Sequence, residues 1–114
     1  MKLPLKLLVD VSGGTLRLRR WDEAKKQLSL HVINPKGDHV GVVRFAPVTF
    51  ICLPTKAKVE NLEIFDPAAL PADFWTRSTP SASSLHGNYW VVFVHTPDHF
   101  RHYLVAGGVR YDRS

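Results

Sequence analysis

Alternation of apolar and polar residues with a period of two, cut at short intervals by turn residues, constrains this chain more than any other feature. Leu16 and Leu18 alternate with Arg17 and Arg19, and Leu28, Leu30 and Val32 alternate with Ser29 and His31. A period of two places alternate side chains on opposite faces of a strand, so these runs predict strands with one wet face. Ser12-Gly13-Gly14, Asp22 to Lys26, and Asn34-Pro35-Lys36-Gly37-Asp38 separate the runs. Glycine and asparagine supply positive φ, and proline pre-sets the first turn dihedral. The pattern predicts strands near 4–11, 15–21, 27–33 and 39–45 joined by hairpins. Runs at 47–53 and 59–65, edged by Pro47 and Pro54, extend the series.

The pattern changes at Asp66. Asp66-Pro67 and Leu70-Pro71-Ala72-Asp73 predict one or two short helical turns near 67–76, with proline at the first helical position. Residues 76–88 have the Ser, Thr, Pro and Gly content of a loop. Tyr89 to Val94 is apolar throughout, as in a strand covered on both faces. Two readings fit residues 96–106. Thr96-Pro97-Asp98 can cap a short helix near 97–105, or turn a hairpin into a strand from Phe100 to Val105. The β-branched and aromatic content favours the hairpin. Val109-Arg110-Tyr111 makes a short last strand. The fold class expected is mainly β: an antiparallel small barrel or sandwich of about eight short strands. Its 114 residues form one domain, 1–114, large enough for a core without disulfide or metal staples.

The longest apolar run, Met1 to Val11, is interrupted by Lys2, Lys6 and Asp10 and falls short of the roughly 18 residues of a membrane helix. No small-residue cleavage site comes after it, so a signal peptide is not expected. These features predict a soluble, cytoplasmic chain with no membrane insertion. The single cysteine, Cys52, forms no internal disulfide, and its apolar run predicts a buried thiol acting as a small hydrophobe. A net charge of +5 favours acidic partners without choosing among them.

Three clusters are candidates for chemistry. The first is basic: Arg17, Arg19 and Arg20 precede Trp21, and Lys25 and Lys26 lie in the turn after it. Arginines and an aromatic on one sheet face can hold phosphates and stack a base, although Asp22 and Glu23 interrupt the charge. Lys56 and Lys58 form another small basic turn. The second is His95, His99 and His102, which could ligate a metal; in the hairpin reading His95 and His102 share a face. Arg101 beside them opposes a metal, and the spacing matches no specific zinc motif. The third is Phe74 and Trp75 with Arg77, residue types enriched in protein-binding hot spots.

Catalysis has little support, because no nucleophile elbow, phosphate-binding glycine loop or His-Glu-x-x-His motif occurs. No cofactor is implied. The sequence therefore predicts a non-catalytic binding or adaptor module that contacts another macromolecule. A protein partner through Phe74, Trp75 and Arg77 is the first expectation. Nucleic acid on the Arg17–Lys26 face is the alternative, and a metal-dependent site or enzyme at the histidines is a third.

Overall fold

The computed structural model describes residues 1–69, 89–98 and 100–114. Among them are one helix, α1 (Leu5–Val11), and nine strands. The strands are β1 (Thr15–Asp22), β2 (Gln27–Ile33), β3 (His39–Phe45), β4 (Val48–Cys52), β5 (Lys56–Lys58), β6 (Asn61–Phe65), β7 (Trp90–His95), β8 (His102–Ala106) and β9 (Val109–Arg113). They form two antiparallel sheets, one in the order β5-β1-β2-β3-β9 and the other β4-β8-β7-β6. The mainly β expectation holds, and the architecture is a sandwich and not a closed barrel.

The core lies between the sheets. Leu16, Leu28, Leu30, Val32, Val43 and Phe45 point inward from the first sheet. Leu62, Val92, Val94 and Leu104 meet them from the second, and Leu3, Leu7 and Val11 of the N-terminal segment complete the cluster. The second sheet is apolar on its other face too. There Val91, Tyr103 and Val105 are buried, with Phe50, Phe65 and Phe93 packed against them. This is the two-sided burial expected of the all-apolar run at 89–94.

At residues 4–11, where the alternation predicts a strand, the structure corrects the reading. Apolar residues stand at 3, 5, 7, 9 and 11, a period of two broken only by Leu8 and Pro4 on the other parity. The chain instead winds into α1, burying Leu3, Leu7 and Val11 at intervals of four and leaving Leu5 and Val9 in solvent. A second device fixes the helix end. The Tyr111 hydroxyl donates to Asp10 Oδ2 at 2.6 Å, and Arg113 Nη2 donates to Asp10 Oδ1 at 3.1 Å. Burial and the Asp10 carboxylate both push the Tyr111 phenol pKa upward, so it remains a donor.

Smaller corrections concern the strand count and the turns. The count is nine strands, because Lys56–Lys58, expected as a turn, pairs with β1 as the edge strand β5. The helix considered at 97–105 does not form, and β8 starts at His102 after a turn, as in the hairpin reading. Of the helical turns near 67–76, Pro67–Ala69 is a 3₁₀ turn and the remainder lies outside the described residues. Cys52 is exposed, because β4 is an edge of its sheet among the described residues.

Candidate functional site

The outward face of the five-stranded sheet gathers cations from strands far apart in sequence. Arg17 stands opposite Lys56 on one side and His31 on the other. His31 in turn faces Val42, and Val42 faces Asp112, so one rung crosses the whole sheet. A second rung runs Lys58, Thr15, Ile33, His39. A third runs Arg20, Ser29, Arg44, Arg110. Directly opposed residues of an antiparallel pair project to the same face, at strand spacings of about 5 Å.

The face is electrically divided. On the β9 side, Arg44 and Arg110 both reach Asp112, at 2.6 and 3.1 Å. Arg20 is 3.9 Å from Asp22. On the β5–β1 side, Arg17, Arg19, Lys56 and Lys58 pair with no carboxylate among the described residues. The uncompensated charge acts on a neighbour. The His31 pKa is lowered first by burial and then by His39, Arg17 and Arg19.

Trp21 is not part of this face. The register between β1 and β2 shifts between Leu18 and Arg20, a β-bulge in the Arg19 region. Beyond it Arg20 pairs with Ser29 and points outward, while Trp21 pairs with Leu28 and takes the inward side. There it lines a cavity of about 150 Å³ with Leu18, Leu30, Ile51 and Leu53 at the open flank of the sandwich. Its indole donates to Glu23 Oε2 at 2.8 Å. Lys26 pairs with Glu23 Oε1 at 3.1 Å, and the Lys25 amide donates to Asp22. The arrangement expected from Arg17 to Lys26 is therefore split. The arginines stand on the sheet, the lysines are in the turn, and the ring is on the far side.

The histidine cluster is divided as well. His102 lies opposite Val94, so it takes the inner side of β7 and β8. His95 takes the Phe93 side and lies 6.1 Å from that ring. The two do not share a face, contrary to the hairpin expectation. His95 pairs with Glu63 at 2.7 Å and His102 with Asp98 at 3.0 Å. His99 lies outside the described residues, as do Phe74, Trp75 and Arg77. Among the described residues no group of three or more His, Cys, Asp or Glu side chains is placed to hold a metal ion.

Asp98 organises the β7–β8 turn. It accepts from the Thr96 hydroxyl and from the Phe100 amide, and it contacts His102. These bonds, led by Thr96 and then His102, lower its pKa to about 2. A carboxylate whose folded pKa is depressed stabilises the fold above its unfolded value, near 3.8, and the gain is lost as pH falls toward 2. The urea midpoint of the wild type should therefore drop over that interval, and Asp98→Asn should flatten the drop. An equally steep profile in the variant would show that this turn does not carry the effect. Thr96 bonds the carboxylate and not the imidazole, so the trio lacks the nucleophile–base contact of a hydrolytic triad.

Sequence reasoning missed Lys56, Lys58, His31 and His39 as members of one surface. The alternation at 28–32 already turned His31 outward. The opposition of Arg17 to Lys56 joins strands 39 residues apart and has no local signal. No family model, no curated protein and no solved structure matches the chain.

Proposed function

We propose that this chain is a non-catalytic binding module that holds the sugar-phosphate backbone of a nucleic acid on the outward face of its five-stranded sheet. The observation that carries this reading is the group of four cations, Arg17, Arg19, Lys56 and Lys58, left without carboxylate partners among the described residues on two adjacent strands. Unpaired cations on an exposed, flat surface collect counterions, and a polyanion that displaces those counterions gains their release entropy. Trp21 stands on the opposite side of β1 from Arg17, which favours recognition of phosphates over stacking of bases. The reading suits an intracellular setting, where the exposed thiol of Cys52 stays reduced.

Fluorescence anisotropy with a single-stranded DNA of about 20 nucleotides tests this. Affinity should fall steeply with salt, the slope of log K against log salt being about −0.7 for each phosphate neutralised. The double substitution Arg17→Ala, Lys56→Ala should reduce that slope by about 1.4 and weaken binding about tenfold at ~0.1 M salt. Trp21→Phe should leave affinity unchanged. Absence of binding by the wild type at low salt would sink the reading, as would a double variant that binds like the wild type.

A further inference from the structure

We infer that the His31–His39 pair makes the basic face a proton-linked anion site, one that grips polyphosphate more tightly as the pair takes up a proton. The inference rests on the proposed use of this face and adds its regulation.

The geometry is specific. His31 Nδ1 lies 2.6 Å from His39 Nε2, and the rings meet edge to face with centroids 4.6 Å apart. At that separation one nitrogen carries a proton and the other offers its lone pair. The neutral pair satisfies the contact with a single shared proton. One further proton leaves that contact in place, still N–H to lone pair, and puts a full positive charge on the pair, on the same face as the unpaired cations.

The surroundings oppose charge on His31 while the face is empty. From β1, Arg17 and Arg19 face His31, and Lys56 of β5 lies beyond Arg17. On the other side Val42 separates it from Asp112 of β9, which Arg44 and Arg110 already engage. Lys36 and Asp38 belong to the turn that leads into His39. Burial and the cations hold the His31 pKa below its ordinary value. A phosphate backbone laid across Arg17 and Lys56 neutralises those cations and adds negative charge, and both changes favour protonation. By linkage, a ligand that raises proton affinity is bound more tightly when protons are plentiful. The other described histidines, His95 and His102, belong to the second sheet and face carboxylates.

The test measures anisotropy of the same single-stranded DNA across a salt series at about pH 7.5 and about pH 5.5. Uptake of one proton on binding raises affinity about tenfold per pH unit, so the gain between the two pH values should approach about a hundredfold, and the salt slope should steepen by about 0.7. The double variant His31→Gln, His39→Gln should lose both responses. His39→Gln alone, at an exposed position, should lose them too, which guards against a folding defect in the double variant. If the wild type binds with equal affinity and slope at both pH values, or if the variants keep the response, the inference fails and the basic-face reading stands. If the wild type binds at neither pH, both fail.

Discussion

Phe45→Ala is expected to lower the unfolding free energy by about 3–5 kcal/mol, measured by urea denaturation. Phe45 is 1% exposed and ends β3, between Leu28 of β2 and Val109 of β9. Its ring fills the space between the two sheets, so truncation removes transfer free energy and leaves a cavity that rigid strands cannot collapse. Domains of this size are stable by about 5–15 kcal/mol in total, so the variant should be near the edge of folding at room temperature. Leu5→Ala is the matched control. Leu5 is 75% exposed on the outer side of α1, and its loss should cost less than about 0.5 kcal/mol. Equal effects for the two substitutions would mean that the core does not lie between the sheets.

The second large effect is expected at Gly14, where Gly14→Ala should cost about 3 kcal/mol or more. A Cβ at this position would stand 2.0 Å from the carbonyl oxygen of Ile33. The obstacle is backbone at the end of β2, so no side-chain rotation relieves it. Gly14 is also held on both sides, its amide on Val11 O and its carbonyl on the Val59 amide, each at 2.8 Å. The end of α1, the start of β1, the end of β2 and the approach to β6 all converge there. Gly37→Ala separates this clash from conformational strain. Gly37 has φ of 89° with nothing within 4 Å of an added Cβ, so its substitution should cost only about 1 kcal/mol. A Gly14 variant no less stable than the Gly37 variant would refute the close approach.

These two positions differ in how far they could be read from sequence. Phe45 ends an alternating run, Gly41, Val43, Phe45, whose parity marks it as inward-facing. Gly14 looks like any turn glycine, because the atom that forbids a side chain there comes from Ile33, 19 residues along the chain. The candidate site divides the same way. Arg17 and His31 are outward by the alternation of their own strands. Their union with Lys56 depends on β5 adding to the edge of β1, which no pattern within Lys56–Lys58 announces.

Periodicity by itself left 96–106 open between a helix and a hairpin; it determined that this chain is mainly β and that β1, β2, β3 and β7 lie close to where they do. It could do so because strand parity and turn chemistry are local: each depends on residues a few positions apart. Tertiary structure alone decided the rest. Residues 3–11 satisfy a strand period and a helix stripe together, and burial against the sheets selected the helix. A bulge reversed Trp21 relative to Arg17, because one extra residue flips every later side chain. The basic face exists only once β5, β1 and β2 are side by side. Charge at a surface is a sum over neighbours in space, and sequence order does not fix which neighbours those are.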